Sequence, residues 1–240
     1  MAETVRKILI TNDDGIRSPR MKRLAEAAMA YGEVYVVAPD EQCSAKSQCI
    51  TLHRPLTATL KEGWLEGVVA YAIDGTPADC VRCAPYLLGT HFDLVLSGIN
   101  QGYNGGNAIQ YSGTVAAAME AASEGIQAMA FSEPYEGDCS VTEEYLDKIL
   151  GDLIERPLPV NQIWNINFPD CGMEGLKGIL EDRKSSLNFF YRDEFIPEEI
   201  SKGVIRLSLN GIYQEIGEEG TDYKALMDGY ISVGIVKNIG

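Results

Sequence analysis

Asp13 and Asp14 stand side by side in Asn12-Asp13-Asp14-Gly15, directly after the short apolar run Lys7-Ile8-Leu9-Ile10-Thr11. Two adjacent carboxylates repel each other unless a cation or hydrogen-bond donors neutralise them. Hard divalent cations such as Mg²⁺ and Mn²⁺ take oxygen ligands from carboxylate, amide carbonyl and hydroxyl groups. Asp13, Asp14, Ser44 and Asn100 supply that set. The plainer alternative is that Asp-Asp-Gly serves only as a turn and helix cap. A second constellation is Gly102-Tyr103-Asn104-Gly105-Gly106-Asn107, followed by Tyr111-Ser112-Gly113-Thr114 at an expected helix start. Free N–H groups at a helix N-terminus, beside small residues that allow close approach, form an anion site. Ser112 and Thr114 add hydroxyl groups, although Ser112 could equally be no more than the helix cap. A cation cluster and a phosphate cradle together point to phosphoryl chemistry. On that reading Asp13 and Asp14 are catalytic and, with Ser44 and Asn100, bind the metal. Asn12, Asn104, Ser112, Gly113 and Thr114 contact the substrate. Residue types alone leave open whether an aspartate acts as base or nucleophile, or a cation-activated water attacks.

These groups can cooperate only if the fold gathers them. The run Lys7 to Thr11 reads as a buried strand, Met21 to Tyr31 as a helix with Leu24, Ala25, Ala28 and Met29 on one face, and Val34 to Ala38 as a second buried strand. That β-α-β order implies a parallel pair with a right-handed crossover. Strands are further expected at Ile50 to Leu60, Val68 to Ile73, Asp93 to Asn100, Ala128 to Ser132 and Trp164 to Phe168. Helices are expected from Thr76 through Leu88, over Ser112 to Glu124 and over Thr142 to Ile154. The alternation predicts an α/β protein with a Rossmann-like, doubly wound, mostly parallel sheet. Such sheets bind ligands at the carboxyl ends of their strands, where Asn12 to Asp14, the loop with Asp40, Ser44 and Ser47, and the group Ser97, Asn100 and Asn104 would all lie. We read residues 1–240 as one domain, with a core over 1–180 and a C-terminal extension and tail over 181–240. Arg183 to Tyr213 is expected to be less regular, with strand-like pieces such as Val204 to Leu209. Its apolar stretches and the ending after Gly229 predict subunit contacts and at least a dimer.

Composition narrows the partners. The net charge of −15 repels nucleic-acid backbones and anionic membranes, so no nucleic-acid polymer or membrane is expected as partner. A small phosphorylated substrate stays possible if the site has its own positive charge. No apolar run approaches the roughly 20 residues that span a bilayer. The N-terminus lacks the features of a signal peptide, so a cytoplasmic location is expected. Cys80-Val81-Arg82-Cys83 is a CxxC without a second pair, and the six cysteines read as ordinary thiols. His53 and His91 sit in no motif and read as structural or surface residues. There is no GxxxxGK[ST], no GxGxxG after the first strand and no GxSxG, which disfavours a P-loop NTPase, a dinucleotide oxidoreductase and an ordinary α/β-hydrolase.

Several ordered blocks resemble the SurE family, the stationary-phase survival proteins that act as 5′/3′-nucleotidases. They are Ile8 to Gly15, Val37-Ala38-Pro39-Asp40, Asp74 to Val81, Asp93 to Asn100, Tyr111 to Glu120, Asn165 to Pro169, Thr221-Asp222-Tyr223 and Gly229 to Val233. They span nearly the whole chain. The resemblance implies a divalent metal at positions matching Asp13, Asp14, Ser44 and Asn100. It implies hydrolysis of nucleoside 5′- and possibly 3′-monophosphates, and a homodimer or homotetramer joined through C-terminal extensions. One position departs from the family pattern: Ala45 follows Ser44 where glycine is usual, and alanine takes positive φ less easily. Two other readings fit the same residues: a phosphatase for a non-nucleotide phosphate, and a non-catalytic nucleotide sensor.

Overall fold

The computed structural model describes residues 5–214 and 217–238. Strands are β1 (Lys7–Thr11), β2 (Glu33–Pro39), β3 (Ala58–Leu60), β4 (Val69–Ile73), β5 (Leu94–Gln101), β6 (Gln127–Glu133), β7 (Gln162–Asn167), β8 (Gly178–Arg183), β9 (Tyr191–Ser201), β10 (Val204–Tyr213) and β11 (Tyr230–Lys237). Helices are α1 (Pro19–Ala28), α2 (Pro77–Leu88), α3 (Gly113–Ser123), α4 (Ser140–Ile154), α5 (Gly172–Gly175) and α6 (Asp222–Met227), with a 3₁₀ turn at Gly106–Tyr111 before α3.

The main sheet has the order β3-β4-β2-β1-β5-β6-β7-β11-β8. Its six central strands, β4 to β7 in that order, run parallel. β1 is buried on both faces because its side chains alternate between two cores. Ile8 and Ile10 pack with α1 and α4, while Leu9 packs with α2 and α3. This is the doubly wound α/β arrangement that the alternating pattern predicts. The chain winds outward from β1 through β2 to β4, then restarts at β5 on the other side of β1. The gap outside the carboxyl ends of β1 and β5 is therefore the topological switch point, where such sheets bind ligands.

Three segments differ from the sequence expectation. Only Ala58–Leu60 of the stretch Ile50 to Leu60 forms a strand. Upstream, side-chain carboxylates take the donors that a ladder would need: Asp79 accepts from the Thr51 N–H and hydroxyl, and Asp74 accepts from the Thr57 N–H. Arg183 to Tyr213 is more regular than expected. β9 and β10 pair antiparallel over their whole length through a two-residue turn at Lys202-Gly203, where Gly203 has φ 78°. The segment after Gly229 is no tail, because β11 inserts between β7 and β8 of the main sheet.

All six cysteines are free thiols. Among the described residues no helix is long and apolar enough to cross a membrane.

Candidate functional site

The Asp13-Asp14 turn is built by its neighbours. The Asn12 amide brackets it, donating from Nδ2 to the Gly15 carbonyl and accepting the Gly15 N–H on Oδ1. Gly15 has φ 92°, and the Ile16 N–H then reaches back to the Pro39 carbonyl at the end of β2. Asn12 is fully buried with both ends of its amide committed to this turn, so the structure gives it a framing role.

Asp13 points at the start of α3. Its Oδ1 accepts the Thr114 hydroxyl at 2.6 Å, in a buried contact. Gly113 packs on the same carboxylate: a β-carbon there would lie 2.8 Å from Asp13 Cβ and 3.0 Å from its Oδ2. Ser112 caps α3, accepting from the Val115 N–H at 3.1 Å. Thr114 therefore gives its hydroxyl to Asp13 and Ser112 gives its oxygen to Val115. With the Val115 N–H bonded to the Ser112 hydroxyl and the Ala116 N–H to the Ser112 carbonyl, the N–H of Gly113 is what this helix start offers to a ligand, beside the Thr114 N–H that faces Asp13.

Asp14 is half-buried. Its Oδ2 accepts the Gln101 N–H at the end of β5, and its Oδ1 accepts from Gln42. Gln42 and Gln101 were not singled out by sequence, because glutamines in loops carry no motif. Burial pushes Asp13 up to about 6, against the Thr114 hydrogen bond and with a further upward push from Asp14. Burial also raises Asp14, against the Gln101 and Gln42 hydrogen bonds and the attraction of Arg20. Arg20 and Arg23 are both ion-paired to Glu133, which is buried at the end of β6.

Ser44 and Asn100 each neighbour in the chain a residue bonded to this pair, Cys43 and Gln101. The Cys43 N–H donates to the Asp13 carbonyl at 2.7 Å, which ties the loop carrying Ser44 to the turn. Ser44 itself is exposed. The next residue, Ala45, has φ 57°, so the chain adopts here the left-handed conformation that glycine takes without strain. Asn100 follows a bulge between Ser97 and Asn100 in the β5–β6 ladder. Its Nδ2 donates to the Gly102 carbonyl at 2.7 Å, which leaves the amide oxygen for another partner.

Asn104 lies deeper than its expected contact with substrate would suggest. Its N–H donates to Asn167 Oδ1, its Nδ2 donates to Ser132, and its carbonyl accepts from Asn165 and Asn167. These residues at the ends of β6 and β7 stitch the glycine-rich loop to the sheet. Asp222, at the start of α6, accepts from the Gly106 and Ser186 N–H groups and pins the same loop from the other side. Glycine, asparagine and aspartate distant in sequence thus share one loop, which no local pattern reveals. His53 and His91 are both exposed.

Among the described residues no three or more histidine, cysteine, aspartate or glutamate side chains come together as a metal cluster. A cation here would rest on two carboxylates and neutral oxygens. That donor set fits Mg²⁺ and Mn²⁺, which are commonly held by one or two carboxylates together with waters and substrate phosphates. The upward push of burial on both aspartates fits it too, since a bound cation would offset the cost of keeping the pair ionised.

Comparison with known proteins agrees with this architecture. The family model described as Survival protein SurE matches residues 8–187. The chain is 42% identical over 236 residues to a protein of Geotalea uraniireducens named 5'-nucleotidase SurE, covering 95% of this chain and 91% of that protein. It is 43% identical over 232 residues to 5'-nucleotidase SurE 1 of Thermus thermophilus, covering 95% and 90%. The crystal structure of the SurE protein from Aquifex aeolicus superposes with a TM-score of 0.80 at 33% identity, covering 96% of this chain and 93% of that one. Sequence, sheet order and the match over most of its length agree: the chain belongs to the SurE family.

Proposed function

We propose that this protein removes phosphate from nucleoside 5′-monophosphates, and from 3′-monophosphates as a secondary activity, with a divalent cation, Mg²⁺ or Mn²⁺, held by Asp13, Asp14, Ser44 and Asn100. The observation that carries this reading is the direct coupling of Asp13 to the helix start through Thr114 and the side-chain-free face of Gly113. The names of the Geotalea and Thermus relatives support it. A cation bound there would polarise a phosphoryl oxygen and activate water for in-line attack. The Gly113 N–H at the first turn of α3 would receive an equatorial oxygen, with Ser112 holding that turn in shape. Asn104 and Asn12 would act through the loops that they fix. Beside Gly102 and Tyr103 a cleft of about 1200 Å³ opens, lined also by Tyr111, Tyr135, Phe189 and Tyr191. Its aromatic walls suit the flat face of a nucleobase. A phosphate-release screen over nucleotides and sugar phosphates tests the reading. Exhaustive chelation should abolish release from AMP, and added Mn²⁺ or Mg²⁺ should restore it. Full activity in chelated protein would sink the cation-dependent mechanism.

The same reading includes assembly. β9 and β10 form a two-stranded sheet of their own, and a lone hairpin is only marginally stable in water. One of its faces carries Phe195, Ile205, Leu207 and Leu209, all exposed. We take a second copy of this chain to cover that face, making a homodimer or homotetramer. The hairpin root reaches the glycine-rich loop, since Phe190 packs edge-on against Tyr223 and tilted against Tyr103, and the Asn107 N–H donates to the Asn188 carbonyl. Light scattering at micromolar concentration should give at least a dimer mass. Replacing Leu207 and Leu209 with glutamate should shift it toward monomer. A parent protein of monomer mass would count against the assembly.

A further inference from the structure

A second pocket opens where α1 begins, directly after the Asp13–Gly15 turn in the chain. It encloses about 390 Å³ between the start of α1 and the β3–β4 connection. Arg17, Lys22 and Lys61 line it, beside Ser18 and Trp64. Three cations converging on one hollow is notable in a chain of net charge −15. Among the described residues none of the three has an ion-pair partner. Like charges held together without a counter-charge repel, and an anion would relieve that.

α1 has no acidic residue in its first turn, and its cap Ser18 makes no side-chain cap bond. Ser18 is nine-tenths buried, lines the hollow, and its hydroxyl has no hydrogen-bond partner among the described residues. The start of a ten-residue helix thus borders the same space as the three side chains, although the Ser18 N–H goes to the Gly15 carbonyl and Pro19 has none, so the cationic side chains are what the hollow offers an anion. The wall is firm, since Trp64 Nε1 donates to the Ile16 carbonyl at 2.8 Å and fixes the β3–β4 connection against the start of α1.

We propose that this pocket is a second oxoanion site that binds a phosphate group. Arg17 lies three residues beyond Asp14, so their backbones are at most about 10 Å apart. The phosphate group has two possible sources: free orthophosphate, or the distal phosphate of a ligand with more than one phosphate whose other end reaches the carboxylate pair. The site stands on its own cations and does not require the hydrolytic reading to hold.

Binding is measured by calorimetry on the full chain in chelator at fixed ionic strength, with orthophosphate, AMP and ADP as probes. If free phosphate is the ligand, orthophosphate binds the parent and binds at least about tenfold more weakly to the Arg17→Gln/Lys61→Gln double variant, as loss of charge-assisted contacts implies. If a distal phosphate is the ligand, ADP binds the parent more tightly than AMP, and that advantage disappears in the double variant. The double variant should melt at or above the parent temperature, because it relieves repulsion. Should it fold poorly, the single exposed replacement Lys22→Gln gives the same comparison. Equal binding of all probes to parent and variants, or no binding of any, overturns the proposal.

Discussion

In chelator at pH 7, the Asp13→Asn protein is expected to be more stable than the parent by on the order of 3 kcal/mol, while losing most of its phosphate release. Burial raises the Asp13 carboxyl from its ordinary 3.8 to about 6. The folded protein therefore holds that proton more tightly than the unfolded chain does, and ionising Asp13 costs folding. The parent keeps this contribution below about pH 3.8 and loses it as pH rises through about 6. Asparagine cannot ionise, has the same shape, and can still accept the Thr114 hydroxyl. The stability gap should be small near pH 4 and reach full size above pH 6. Sequence alone leads to the same sign from repulsion between neighbouring aspartates. The structure makes burial the larger cause and Asp14 a smaller one. Activity should fall on the order of 10²–10³-fold, as when one preorganised electrostatic group is lost. Melts from pH 4 to 8 in chelator, beside turnover in Mn²⁺, measure both. A variant that melts like the parent across that range and hydrolyses AMP at the parent rate would reduce Asp13 to a turn residue.

What was legible in the sequence follows from how local each signal is. β1, β2, β5, β6 and β7 are apolar runs that stop at polar loops, and α3 is an alanine-rich run opened by a serine cap. Their alternation is enough to bring the strand ends to one edge, and that edge is where Asp13, Asp14, Asn100 and the start of α3 lie. What stayed hidden depends on contacts across the fold. Asn104 reads as a substrate contact by its place in a glycine-rich loop. In the structure its polar atoms go to Ser132 on β6 and to Asn165 and Asn167 on β7, the last two about sixty positions later in the chain. Gln42 and Gln101 touch Asp14 but belong to no pattern. The β9–β10 hairpin was masked by Pro197 and by charged residues on its second face, although Lys202-Gly203 is a two-residue turn signal between alternating runs.

Gly113→Ala is expected to lower both stability and activity, the reverse of Asp13→Asn for stability. Gly113 has no unusual φ, so its backbone conformation suits alanine well and a helix interior would favour the change. Space forbids it. The new carbon would stand 2.8 Å from Asp13 Cβ and 3.2 Å from the Cys43 carbonyl oxygen. Neither is the free end of a flexible side chain. Asp13 is held by β1 and the Thr114 hydroxyl, and the Cys43 backbone is tied to the Asp13 carbonyl. The strain can be released only by moving α3 away from the turn, which lengthens the 2.6 Å contact between Thr114 and Asp13 and shifts the first-turn N–H groups. Overpacking of this kind costs about 1–3 kcal/mol. A displacement near 1 Å in a reacting constellation costs on the order of 10²-fold in rate. The loss should fall mainly on kcat, because the aromatic cleft beside Gly102 is untouched and continues to bind the nucleoside. Melts in chelator and steady-state kinetics on AMP in Mn²⁺ separate the two effects. A Gly113→Ala protein with parental melting and parental kcat would mean that α3 and the carboxylate pair are not mechanically joined, and the proposed geometry of catalysis would fail with it.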